Sequence, residues 1–176
     1  ITAIEIQKDV YELAKKSIEY NKLQNRINFI NGDVYEYASE CQTEMYDIIT
    51  CNPPFFKVTE NVKLNESEYK KIARHEIKLN IEQIIKIGKK LLKNNGSLNI
   101  VHRPERLIEI ITIMKKNNIE PKRIQLIYPK ENECANILLI EGNKNGKPGL
   151  KILPPLYSHT DNGDYTEDVK KFFENN

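Results

Sequence analysis

The chain has 176 residues and a mass of 20.6 kDa, enough for one ordinary domain with a substantial core. With 39% hydrophobic and 30% charged residues, 7 Gly and 8 Pro, it is neither collagen-like nor low-complexity nor wholly disordered. A net charge of +2 is too small to argue for nucleic acid by itself, and the longest apolar runs, such as 108–114, fall far short of the roughly 20 residues of a membrane helix.

The first strand is predicted over Ile1 to Ile6, followed by a helix whose stripe is Val10, Leu13, Ala14, Ser17 and Ile18. A second strand over 26–30 closes on Asn31-Gly32-Asp33, and 34–40 holds one or two helical turns. Tyr46 to Cys51 is an apolar run of the kind buried on both faces of a parallel sheet, and it stops at Asn52-Pro53-Pro54 because proline cannot donate to a ladder. Residues 56–73 have no period and read as a long functional loop. From Glu76, the spacing of Ile77, Ile81, Ile84, Ile85, Gly88, Leu91 and Leu92 predicts an amphipathic helix capped at Asn94-Asn95-Gly96. A strand over 97–101, a helix opening at Pro104, and two strands over 123–128 and 135–141 pairing as an antiparallel hairpin complete the order. Residues beyond 142 read as a turn-rich loop and an acidic, aromatic tail. This alternation predicts an α/β, doubly wound, mostly parallel sheet that ends on a hairpin.

Asn52-Pro53-Pro54-Phe55 is the sharpest local signal, because ligands in open α/β sheets sit at the carboxyl ends of strands. An amide or exocyclic nitrogen is a poor nucleophile, so a site that alkylates it must accept its N–H groups and aim the lone pair at the electrophile. Asn52 offers a side-chain oxygen, Pro53 a fixed carbonyl and Phe55 a ring on which a planar base stacks, while Pro54 restricts the backbone before it. Read alone, the same string is a strand-ending turn with Phe55 in the core. Glu5, next to Ile6 at the end of the first strand, can accept both hydroxyls of a ribose. Asp33 can accept from an adenine amine beside the Val34 N–H, or it is a plain Asx turn. The other Tyr and Phe side chains are assigned to the core.

The order Glu5, Asp33, Asn52-Pro53-Pro54-Phe55 resembles the class I, S-adenosylmethionine-dependent methyltransferases that modify amino nitrogens. Ala73-Arg74-His75-Glu76, the string from Val101 to Leu107, Pro155-Leu156-Tyr157 and Gly163-Asp164-Tyr165-Thr166 narrow the resemblance to the tRNA(Val) adenine-37 N6-methyltransferase group. The resemblance covers essentially all of 1–176 and implies a Rossmann-like methyltransferase domain. It implies S-adenosylmethionine as cofactor, held by Glu5, Ile6, Asp33, Val34 and Asn52, and tRNA as the partner that presents the adenine. Catalysis would rest on Asn52, Pro53, Pro54 and Phe55, with Phe55, Arg74, His75, Arg103 and Arg106 meeting the substrate. The family also carries a glycine-rich turn after its first strand, which this chain lacks. Residues 1–176 are therefore expected to be N-terminally truncated by about 60 to 80 residues, and to hold the cofactor weakly on their own.

Two alternatives stay open at this stage. A protein glutamine N5-methyltransferase of the same fold solves the same problem on a side-chain amide, usually with Tyr in place of Phe55. A non-catalytic, methyltransferase-like RNA-binding module also fits. Residues 57–93 carry ten Lys or Arg against five Asp or Glu, which favours RNA unless the lysines form a solvated helix face, and Arg106 and Arg103 serve RNA unless they pair with Glu76 or Glu105. The segment 161–176 is acidic by five to two and is not expected to bind RNA. His102 and His159 are isolated, so no metal is expected. Three cysteines without a CxxC pair speak against a disulfide framework and for a reducing cytoplasm, and Cys51 reads as a buried, inert thiol. Oligomeric state leaves no trace in the sequence.

Overall fold

The computed structural model describes residues 1–53 and 80–174, which fall into two compact units, Ile1–Gln42 and Thr43–Asn176. In the first, β1 (Thr2–Glu5) pairs in parallel with β2 (Asn28–Asn31), in a register that sets Glu5 beside Asn31. Helix α1 (Lys8–Tyr20) connects them, and its Tyr11 ring lies 5.0 Å from that of Phe29. Helix α2 (Val34–Glu40) follows with the predicted bounds. Val10 and Leu13 of the predicted stripe are 43% and 68% exposed, so β1 and β2 leave that part of the helix face uncovered.

The second unit is built on a six-stranded sheet. Strand β3 (Tyr46–Cys51) pairs in parallel with β4 (Leu92–His102); β6 (Ile137–Lys144) runs antiparallel between β4 and β5 (Ile119–Tyr128); and the short β7 (Lys151–Ile152) and β8 (Leu156–Tyr157) lie parallel to β5. One row therefore runs Cys51, Ile100, Ile140, Ile124, Ile152 across the sheet. Alternation along β4 sends Leu98, Ile100 and His102 into the core and Ser97, Asn99 and Val101 to the opposite face. Helices α3 (Ile81–Leu91) and α4 (Leu107–Lys116) supply Ile84, Ile85, Ile110 and Met114 to that core. Each such side chain contributes about 1.5–3 kcal/mol on burial.

Several expectations change here. Strand β3 is not buried on both faces: it is the edge of its sheet among the described residues, and Ile48 is 65% exposed. Helix α3 opens at Asn80, whose Oδ1 accepts the Gln83 N–H at 3.0 Å while Gln83 Oε1 accepts the Asn80 N–H at 2.8 Å. The predicted cap at 94–96 lies instead inside β4, as a register irregularity in which Asn95 takes φ 63°. Gly96 is there for space, since a Cβ would stand 3.0 Å from the carbonyls of Asp47 and Lys93. The final hairpin forms as predicted, but the chain beyond it is not a plain tail, because it adds β7, β8 and α5 (Glu167–Glu174). Nor are all aromatic side chains in the core: Tyr20, Tyr35, Tyr165, Phe172 and Phe173 are exposed.

Gly142 packs where α4 meets β5, and an added Cβ would come within 2.7 Å of Ile119 Cγ2 and 3.2 Å of Met114 Sδ. Gly142→Ala is expected to destabilise the protein by about 1–3 kcal/mol, read as a lower denaturant midpoint at unchanged slope.

Candidate functional site

In the first unit, the ends of two parallel strands hold two anchored carboxylates. Glu5 ends β1, and its Oε1 accepts the Gln7 N–H at 2.7 Å while its main-chain carbonyl takes Asn31 Nδ2 at 2.8 Å and the Gly32 N–H at 3.1 Å. Asp33 is the N-cap of α2 and accepts the Tyr35 N–H on Oδ1 at 2.8 Å. The Asx-type turn is thus present. It orients the carboxylate without using up its lone pairs, of which an ionised carboxylate has about four. Both groups only accept, so they suit donors such as a ribose diol or an aromatic amine. Ile6, 37% exposed, and Val34, half-buried, flank them.

In the second unit, Asn52 is exposed and Pro53 buried directly after β3. The Pro53 ring fixes φ, and a proline next in sequence restricts its ψ, so few directions are left to its carbonyl. Asn52, Thr50 and Cys51 line one end of a cavity of about 520 Å³ that runs over the sheet face past Asn99 to Arg123 and Glu141. Arg123 Nε donates to Glu141 Oε2 at 2.7 Å, so an ion pair lines the far end of the cavity. Burial pushes the Cys51 thiol up to about 11, which leaves it protonated and unfit as a nucleophile. Pro54, Phe55, Arg74 and His75 lie outside the described residues.

The segment after β4 reaches the same edge but is folded inward. Arg106 grips Glu109 through two bonds of 2.6 and 2.9 Å, and its Nη1 lies 3.3 Å from Nε2 of the buried His102. Arg103 Nη1 donates to the Asn136 carbonyl at 2.9 Å, tying this segment to the turn between β5 and β6. The Arg–Glu network considered from sequence therefore forms, with Glu109 as the partner, one helical turn beyond Glu105. Lys86 pairs with Glu82 at 2.8 Å, Lys93 with Asp47 at 2.9 Å, and Lys89 donates to Asn145 at 3.2 Å. These three lysines behave as a solvated face with local partners.

Sequence reasoning missed Asn99, although its polar position between Leu98 and Ile100 marks the face opposite the core. It also missed that Tyr128 and Tyr157, 5.5 Å apart, sit at the same carboxyl edge as Asn52, since that placement depends on β8 joining β5. Among the described residues, no group of three His, Cys, Asp or Glu is placed to hold a metal, and no helix is long and apolar enough to cross a membrane.

The family described as the methyltransferase small domain matches residues 1–118. The tRNA1(Val) (adenine(37)-N6)-methyltransferase of Flavobacterium psychrophilum is 29% identical over 146 residues, and that of Dyadobacter fermentans 33% over 153. These alignments cover 82% and 79% of this chain, and the chain spans 61% of the length of each relative. Among solved structures, an Agrobacterium tumefaciens protein described as an O-methyltransferase superposes with a TM-score of 0.73 at 20% identity, covering 98% of this chain and 76% of its own. A Listeria monocytogenes protein described as a class I S-adenosylmethionine-dependent methyltransferase gives 0.60 at 16% identity, covering 99% and 54%. These last two likenesses establish the fold: class I, Rossmann-like α/β.

Burial, and then the Arg106 charge, hold the His102 imidazole down to about 4. The folded state favours the neutral ring, so the unfolded chain takes up the proton first as pH falls. The stability His102 contributes is complete above pH 6.5, declines below it and levels off under about pH 4. His102→Asn keeps an acceptor for the Arg103 N–H but cannot titrate. The fall in Tm between pH 6.5 and 4 is expected to be shallower in that variant than in the wild type.

Proposed function

We propose, for a chain that belongs to the methyltransferase small domain family, that it transfers a methyl group to the N6 amine of an adenine in tRNA, as part of a cytoplasmic tRNA-modifying enzyme. The observation that carries the reading is Asn52-Pro53 at the open carboxyl end of β3, one residue past Cys51, which pairs with the buried Ile100. The names of the Flavobacterium and Dyadobacter relatives supply the substrate class. On this reading, residues 1–176 form one class I methyltransferase domain.

The residues present fit the nucleoside half of S-adenosylmethionine. Glu5 would accept from the ribose hydroxyls and Asp33 from the adenine amine, each already aimed by a main-chain N–H bond of 2.7 or 2.8 Å. Ile6 and Val34 would flank the ring. The cofactor, when bound, supplies an electrophilic methyl on a sulfonium.

Asn52 Oδ1 and the Pro53 carbonyl would accept the two N–H groups of the target amine. That holds its lone pair in line for displacement, which is a gain in orientation rather than in basicity. Phe55 and Pro54 complete the motif, with Phe55 as the stacking ring for the base. Arg74, His75, Arg103 and Arg106 are assigned to the tRNA side, Arg106 through the fold of its segment, since its guanidinium is held by Glu109. Direct transfer, in which the N–C bond would form as the C–S bond broke, the thioether left and the alkylated amine lost its proton, needs no covalent enzyme intermediate, in keeping with the inert Cys51.

With the full-length protein, tRNA and methyl-labelled S-adenosylmethionine, Asn52→Ala is expected to lower kcat by about 10²–10³-fold, the size of losing one preorganised polar partner of a reacting group. Its cofactor affinity should stay within a few-fold of the wild type. Undiminished kcat would remove the role assigned to the motif. Cys51→Ala is expected to retain kcat within a few-fold, and a loss comparable to that of Asn52→Ala would point to a thiol mechanism instead.

A further inference from the structure

We propose that Tyr165 and His159 form a stacking surface for an unpaired nucleotide of the same RNA, a few positions from the adenine under attack. The inference rests on the tRNA reading above and adds a binding element to it. Strands β3, β4, β5 and β8 are all parallel, so Asn52, His102, Tyr128 and Tyr157 lie toward one edge of the sheet. From β3 to β8 there are four inter-strand steps of about 4.8 Å, or about 19 Å in all, a span that a short single-stranded stretch can bridge.

At the far end of that edge the chain leaves β8 and forms a small hairpin. His159 and Tyr165 bridge across it, Thr160 accepts back from Gly163, and Gly163 takes φ 90° at the tip. The hairpin is pinned to the sheet. Ser158 Oγ lies 3.2 Å from the carbonyls of Tyr128 and Pro129, Thr166 Oγ1 donates to the Tyr157 carbonyl at 2.6 Å, and Lys130 Nζ donates to the Asp161 carbonyl at 3.0 Å. The ring of Tyr165 lies 5.0 Å from His159 and 5.9 Å from Phe173, yet Tyr165 remains 50% exposed. It is therefore a ring packed against two aromatic neighbours that still presents half of its surface to solvent.

A fixed, exposed aromatic ring beside a nucleic-acid site has a specific use. Every base has a π-face, and stacking needs no particular sequence or charge. Tyr165 lies in the acidic segment 161–176, whose composition gave no expectation of RNA binding, so charge does not favour the contact and the ring has to carry it. The hairpin carries Asp161 and Asp164, so it does not serve phosphates, and the tie from Lys130 is to a main-chain oxygen. A base that meets Tyr165 would do so by its face, with its phosphates left to other segments.

The test uses the full-length protein with tRNA, reading tRNA Kd, KM, kcat, Tm and the salt dependence of binding. Tyr165→Leu keeps apolar packing against His159 and Phe173 and removes the π-face. It is expected to raise Kd and KM for tRNA about tenfold, with kcat, Tm and the salt slope unchanged, while Tyr165→Phe matches the wild type. His159→Leu is the second variant and should raise KM in the same direction. Wild-type KM in Tyr165→Leu, or equal losses in Tyr165→Leu and Tyr165→Phe, overturns the proposal. A drop in Tm accompanied by lower kcat also overturns it, since that marks the hairpin as a structural clip. Wild-type protein that binds tRNA through Tyr165 but transfers no methyl would overturn the functional reading and leave the stacking surface standing. Transfer that is indifferent to Tyr165 would do the reverse.

Discussion

The placement of β6 between β4 and β5 is the constraint on which the rest of the second unit depends. Because β6 runs antiparallel to both, β5 is returned to the direction of β4 and β3, and β8 inherits it. The carboxyl ends of β3, β4, β5 and β8 then open on one edge, from which Asn52-Pro53, His102-Arg103, Tyr128-Pro129 and Tyr157-Ser158 leave. What holds β6 there is ordinary. Leu138 and Ile140 are buried with Leu98, Ile100 and Ile124, and Gly142 lets α4 and β5 approach where any side chain would collide. The edge is a consequence of packing several residues away from it.

Ends that share an edge still need to be held in place, and the structure does so with short polar ties. Arg103 joins the segment after β4 to the β5–β6 turn, Ser158 joins the hairpin to the end of β5, and Arg106 is withdrawn onto Glu109 beside a neutral His102. A guanidinium whose fork is filled by a carboxylate positions a loop better than it attracts a phosphate. The distinction changes the expected phenotype of Arg106 from weak RNA affinity to a misplaced segment.

Much of this was legible in the sequence, and the reasons differ by element. Strand β3 and helix α2 have the predicted bounds because their limits are set by Pro53 and by Asp33, residues whose effects are local. The capping pair Asn80 and Gln83 was there to be read but was overrun by the apolar spacing that continues back to Ile77. Two kinds of information were not local. That Ile48 is exposed depends on which strands flank β3, and that Tyr165 is a surface ring depends on the hairpin being pinned to β5. The chemistry proposed for the Asn–Pro–Pro–Phe string rests on residue type alone, whereas Arg106 pairs with Glu109 at i,i+3 in the helix predicted from Pro104, a spacing passed over in favour of Glu105.

The account stands on one chemical claim, that the amine presented to Asn52 and Pro53 is the N6 of an adenine. It is tested most directly by digesting tRNA to nucleosides after incubation with the full-length protein and methyl-labelled S-adenosylmethionine, and resolving the labelled product. The account predicts label in N6-methyladenosine at one tRNA position. Label in a methylated pyrimidine, or on glutamine of added protein with none in tRNA, would contradict it.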